Sequence, residues 1–178
     1  VPYLCADPAR VAAWRARGQG DGAALRAALV WAGARGYGND RKRSIPPHEV
    51  APLLRLPGVR WHALQLEVDE AARAAFAQAG PIDCIGGELQ DFDEVAAFVA
   101  GLDLVVSVDT SFGNLAGALG RPLWMLLPRS ADWRWGLARE QAPCYPSARL
   151  FRQDSDAGWP PVIARVAAAL RARADEAR

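Results

Sequence analysis

Apolar residues arrive in this chain in two kinds of run. Leu102 to Val108 and Leu123 to Leu127 are continuous, whereas stretches such as Asp69 to Ala79 repeat at helical spacing. A short continuous run suits a strand covered on both faces, and helical spacing suits a helix that buries one side. The two kinds alternate along the chain, which is the order of a doubly wound parallel sheet with helices on both faces.

Punctuation between the runs sets the expected elements. Asp7 followed by Pro8 starts a helix that Val11, Trp14 and Arg17 continue and Gly18 to Gly22 ends. Leu25 to Trp31 is a strand closed by Gly33, and Gly33 to Ser44 is a long, polar, glycine-rich loop. A helix opening at Pro46 or Pro47 runs through Leu54. Pro57 and Gly58 turn the chain into a strand from Val59 to Leu66, and a helix covers Asp69 to Ala79. Pro81 to Ile85 is a short strand. Asp91 and Glu94 have capping-box spacing for the helix Phe92 to Ala100, which Gly101 ends as a residue able to take positive φ. After the two apolar strands come a last strand near Arg149 to Phe151 and a helix from about Pro160 to Arg173. That makes about six strands, with residues 1–22 as linker and first helix and residues 23–178 as the domain.

Composition narrows the classes without changing this picture. The 178 residues are 51% hydrophobic, enough for a sizeable core, and the formal charge is only +1. Near-neutrality argues against a nucleic-acid partner, so any anion site is local. Cys5, Cys84 and Cys144 form no metal or disulfide pattern, which suits a reducing, cytoplasmic setting. No apolar stretch reaches the roughly 20 residues of a membrane span. The first residue, Val1, suggests an excised piece of a longer protein.

In open α/β sheets ligands bind beyond the carboxyl ends of the strands, and two loops stand there. GARGYGNDRKRS, Gly33 to Ser44, combines Gly33, Gly36 and Gly38 with Arg35, Arg41, Lys42 and Arg43. It is either a phosphate cradle or a solvated basic loop. The dinucleotide fingerprint fails because Arg41 stands where its third glycine belongs, and no Gly-Lys-Ser/Thr of a P-loop is present. The other loop, DTSFGN, puts Asp109, Thr110 and Ser111 at the start of a helix, either as plain capping or as donors to a phosphate oxygen. His48 and His62 fall inside elements and read as structural, and Trp14, Trp31, Trp61 and Trp124 read as core. Trp133 and Trp135 of DWRW either pack or close a cleft.

The succession LVWAG, NDRKRSIP, LRLPGVRW, DFDEVAAFVAGLDLVVSVDTSFGNLAGALGRPLWMLLP, DWRW and YPSARLFRQ resembles the glycosyltransferase domain appended to bacterial tetratricopeptide-repeat proteins. That domain is related to heptosyltransferases and, more distantly, to O-linked N-acetylglucosamine transferases. The resemblance covers about Pro2 to Leu170. It implies the C-terminal, Rossmann-like half of a two-domain GT-B enzyme, which binds a nucleotide-diphosphate sugar while an N-terminal half carries the acceptor contacts. It implies no metal and no other cofactor. By the same resemblance, Gly33, Asn39, Asp40, Arg43, Ser44, Asp109, Thr110, Ser111 and Asn114 surround the donor, with base or ribose near Gln65 and Asp91 and the cleft bordered by Asp132 and Trp133. A catalytic base is not assigned.

Two positions depart from the family. Asn114 stands where a His is usual, and Leu66 where Lys is common. Asn can donate a hydrogen bond but cannot carry an imidazolium charge. Three functions therefore stand open: an inverting sugar transfer to a hydroxyl acceptor; a module of the same fold that has lost its chemistry and serves nucleotide or protein binding; and a nucleotide-sugar epimerase of the same two-domain architecture, which explains the fold but not the DWRW and YPSARLFRQ stretches.

Overall fold

Leu104–Val108, apolar but for Ser107, and the wholly apolar Leu123–Leu127 lie side by side as parallel strands, with Val105 opposite Leu123 and Val108 opposite Leu126. All ten residues are buried, and successive side chains enter opposite layers. Leu104, Val106, Val108, Trp124 and Leu126 join one apolar cluster, while Val105, Leu123, Met125 and Leu127 join another. Each fully buried Val or Leu contributes about 1.5–3 kcal/mol, so a polar residue on either face is costly unless it is bonded, as the buried Ser107 hydroxyl is to Val108 O at 2.6 Å.

The computed structural model describes residues 2–17, 25–34, 36, 38, 40–154 and 157–176. In chain order it contains α1 (Pro8–Ala16), β1 (Leu25–Val30), α2 (Asp40–Arg43), α3 (Pro47–Val50), β2 (Val59–Ala63), α4 (Glu70–Ala77), β3 (Asp83–Cys84), α5 (Phe92–Ala100), β4 (Leu104–Val108), α6 (Ser111–Ala118), β5 (Leu123–Leu127), β6 (Ala148–Arg152) and α7 (Pro160–Glu176). The six strands form one sheet, all parallel, in the order β3-β2-β1-β4-β5-β6. α3, α4 and α7 supply Val50, Phe76 and Val166 to one face, and α1, α5 and α6 supply Trp14, Phe98 and Ala116 to the other. The expected α/β architecture is therefore the observed one.

Local chemistry explains where the elements differ from expectation. The helix expected to run from Pro46 or Pro47 through Leu54 is one α-turn followed by a 3-10 turn, Ala51–Arg55, because Pro52 has no N–H for an i to i−4 bond. The first three strands are shorter than expected: β1 stops at Val30, β2 at Ala63, and β3 keeps two exposed residues at the sheet edge. Gly101 caps α5 at φ −83°, so positive φ is not what ends that helix. Gly58, at φ 78°, does use that freedom in the turn before β2. Asp91 accepts the Glu94 N–H at 2.7 Å, but Glu94 does not complete a capping box; its carboxylate accepts from Trp14 Nε1 at 2.7 Å and docks α1 on α5. Trp14 adds an edge-to-face contact with Phe98 at 5.1 Å. The expected helix end at 18–22, together with Arg35 and Asn39, lies outside the described residues.

Trp14, Trp31, Trp61 and Trp124 are buried, as read from the sequence. His62 is buried beside Phe98, 3.4 Å from Asp83, whereas His48 is exposed on α3 rather than packed. No helix among the described residues is long and apolar enough to cross a membrane.

Candidate functional site

The sheet order reverses between β1 and β4: the chain moves outward from β1 through β2 to β3, then returns to β4 on the other side of β1. Adjacent strand ends at such a reversal leave a crevice, because their following loops leave toward opposite faces. Beyond β1 stands the basic glycine loop, and beyond β4 stands Asp109-Thr110-Ser111 with the start of α6. The two loops singled out from the sequence therefore face each other.

Arg43 joins them. Its Nη1 donates to the carbonyl oxygen of Asp109 at 2.5 Å and its Nε to Asp40 Oδ1 at 3.2 Å. The same Asp40 oxygen accepts from Ser44 Oγ at 2.9 Å, and Ser44 Oγ accepts the Gly33 N–H at 3.0 Å. The stretch expected to be open loop thus contains the single helical turn α2, stapled to the end of β1. Gly33 leaves room for that arrangement: a Cβ there would lie well inside contact distance of the Arg43 guanidinium and Asp40, and those side chains would have to shift.

The turn after β4 is equally tied. Thr110 is buried, its hydroxyl accepting the Gly113 N–H at 3.4 Å and lying 3.1 Å from Ser107 Oγ, so it caps α6. Asp109 Oδ2 accepts from Trp135 Nε1 at 2.9 Å, and Arg134 stands 3.7 Å from the same oxygen. Asn114 Nδ2 donates to Thr110 O at 2.8 Å and to Asp109 Oδ1 at 3.3 Å, while Asn114 Oδ1 accepts from Tyr145 Oη at 3.2 Å. Burial first, and then the hydrogen bond with Tyr3, push the Tyr145 phenol up to about 12, so it remains a donor at neutral pH.

Two recesses share Arg43, Thr110 and Ser111. The larger, of about 730 Å³, is bordered by Trp31, Gly33, Asp40, Ser44, Gln65 and Phe112. The smaller, of about 370 Å³, is bordered by Lys42, Asp109, Asn114, Ser130, Asp132 and Arg134. Gln65 holds the wall between β1 and β2, its Oε1 accepting the Ala32 N–H at 3.3 Å. Its backbone lies against Gly86, where a Cβ would overlap the Gln65 carbonyl. Gly86→Ala is therefore expected to cost about 1–3 kcal/mol in a urea unfolding curve, because a backbone neighbour cannot rotate aside.

Gly33, Asp40, Arg43, Ser44, Gln65, Asp109, Thr110, Ser111, Asn114 and Asp132 all border these recesses. Trp133 does not: it is 86% exposed and lines neither, whereas Trp135, two residues on, is 1% exposed. The 3-10 turn Trp133–Trp135 turns one ring outward and the other in. Asp91 caps α5 and also lies outside both recesses. Sequence reasoning missed Phe112, Ser130 and Arg134; Phe112 inside DTSFGN and Arg134 inside DWRW had a motif to point to them, and Ser130 had none. Most of the expected polar residues bond to one another and frame the crevice. Among the described residues, the groups with capacity to spare include the exposed Ser111 hydroxyl and the Ser111 and Phe112 N–H groups, which a helix start leaves without an intrahelical acceptor.

No family model matches the chain. Protein FlbA of Caulobacter vibrioides is 35% identical over 178 residues, which cover 95% of this chain and 29% of FlbA. The chain thus spans less than a third of that relative. Among solved structures it is similar to the ADP-heptose LPS heptosyltransferase II of E. coli, with TM-score 0.65 at 17% identity, over 98% of this chain and 54% of that one. A family 9 glycosyl transferase of Veillonella parvula gives TM-score 0.63 at 14% identity, over 85% and 42%. The E. coli heptosyltransferase WaaC, solved with ADP, gives 0.53 at 18%, over 92% and 47%. The chain has the Rossmann-like fold found in these glycosyltransferases.

Proposed function

We propose that this chain is the donor-binding half of an inverting glycosyltransferase that moves a sugar from a nucleoside diphosphate to a hydroxyl acceptor. The observation that carries the reading is the meeting of Arg43 with the N-terminus of α6 at the sheet's reversal point. Cleavage of the donor bond builds negative charge on the departing diphosphate, and a guanidinium and a helix start held there in advance stabilise that charge. In this reading they do the work of a divalent cation, and no metal is needed. An N-terminal GT-B half supplies the acceptor contacts and the base, and tetratricopeptide repeats in the parent protein present the acceptor. The ADP named with one structural neighbour supports the ligand class.

Calorimetric titration of the chain with ADP and UDP, each with and without EDTA, tests this. Saturable binding that EDTA leaves unchanged is expected. Heats no larger than dilution for both nucleotides would sink it.

One observation favours the second reading, a module that binds without catalysing. Asn114, standing where the resemblance gives a His, has its amide committed to Asp109, Thr110 and Tyr145. A sugar-turnover assay on the complete parent protein separates the two: nucleotide binding without donor consumption would favour the module.

A further inference from the structure

Tyr145 lies in the loop before β6, yet two intermediates, Asn114 and Asp109, connect it to Arg43 in the crevice. Its ring rests on the bare Cα of Gly117 in α6, where a Cβ would overlap it, and its centroid is 6.1 Å from that of Trp135. This seat aims the phenol at Asn114, and Tyr3 from the start of the chain stands 3.4 Å behind it, hydroxyl to hydroxyl.

Asn114 relays that contact. Its two amide hydrogens serve Thr110 O and Asp109 Oδ1, so its orientation is set once Tyr145 takes the carbonyl. Asp109 in turn has each acceptor held by a different element: Oδ1 by α6, Oδ2 by Trp135, and the main-chain oxygen by Arg43 of α2. Movement of the Asn114 amide is therefore felt at the group that anchors Arg43.

We propose that Tyr145 is a positioning residue, which acts through Asn114 and Asp109 to hold Arg43 and the α6 N-terminus in register across the crevice. Asn114 then serves as a structural relay that an imidazole could not replace in full, because two ring nitrogens cannot make three bonds at once. The consequence for donor binding rests on the reading given above; the positioning itself does not.

Tyr145→Phe keeps the ring on Gly117 and removes only the hydroxyl. The Trp135 indole N–H signal in ¹H–¹⁵N spectra, assigned by its loss in Trp135→Phe, reports on Asp109 without any nucleotide. It is expected to shift in Tyr145→Phe, and ADP affinity is expected to fall about fivefold. In an Asn114→Ala background the same substitution should leave the indole signal where Asn114→Ala alone put it. An unmoved indole signal in the single variant, or an equal shift in both backgrounds, would overturn the proposal, since the second pattern means local packing only. Should Asn114→Ala not fold, Asn114→Ser, too short to reach Tyr145, takes its place. If the unmodified protein binds no nucleotide, the donor-site reading fails while the indole signals still decide the positioning.

Discussion

Trp135→Ala is expected to lower the unfolding free energy by about 3–5 kcal/mol in urea denaturation, the range for removing a large ring from a core. Trp135 is almost fully buried in the layer formed by α1, α5 and α6, and its carbonyl oxygen accepts from Arg152 at 3.1 Å. The ring also carries the N–H that holds Asp109, so the loss reaches the crevice as well as the core. Trp135→Phe separates the two effects. It keeps most of the apolar volume and leaves Asp109 Oδ2 without its indole donor, at an expected cost of about 1–3 kcal/mol. Equal stability of the Phe variant and the unmodified protein would mean that the indole hydrogen bond does not contribute.

Arg43→Ala is expected to weaken nucleoside diphosphate binding by at least about tenfold in calorimetry, in line with the loss of a charge-assisted hydrogen bond. Two things go together. The cation leaves the crevice, and the link between α2 and the Asp109 carbonyl is cut. Arg43→Lys restores charge but not the planar fork that spans Asp40 and Asp109, so only part of the affinity should return. Arg41→Ala, an exposed neighbour on the larger recess, is the comparison and should change affinity by about twofold or less. Unchanged affinity in Arg43→Ala would remove the diphosphate from this place. Arg43→Ala reads ligand binding first, whereas Trp135→Ala reads stability first. Together they test whether the crevice frame and its cation can be separated.

Much of this was legible in the residues, for reasons that are local. A run such as Leu123 to Leu127 has no polar side to offer water, and Asp7 and Asp91 cap the helices that follow them because a short carboxylate reaches the first free N–H groups. The start of α6 was legible on the same ground, Thr110 being its cap. What escaped was set by neighbours distant in sequence. Nothing around Glu94 says that its carboxylate will turn to Trp14, eighty residues earlier, in place of its own cap. Nothing in DWRW says which Trp faces solvent.

The candidate site divides in the same way. Gly33, Arg43, Ser44 and the Asp109-Thr110-Ser111 turn were identifiable because strand ends followed by small and polar residues are where ligand loops form. That the hydroxyls of Ser44 and Thr110 face inward, as parts of the frame, was not identifiable, since their partners Asp40 and Ser107 become partners only when the loops are folded.

By itself, then, the order of apolar runs and caps determined the alternation of strand and helix, because covered strands and capped helices are specified by residues close along the chain. The tertiary structure alone decided the strand order and its reversal at β1 and β4, the approach of Arg43 to Asp109, and the burial of Trp135 beneath it. Contacts between residues 26 or 66 positions apart depend on how the layers stack, and no local preference carries that information.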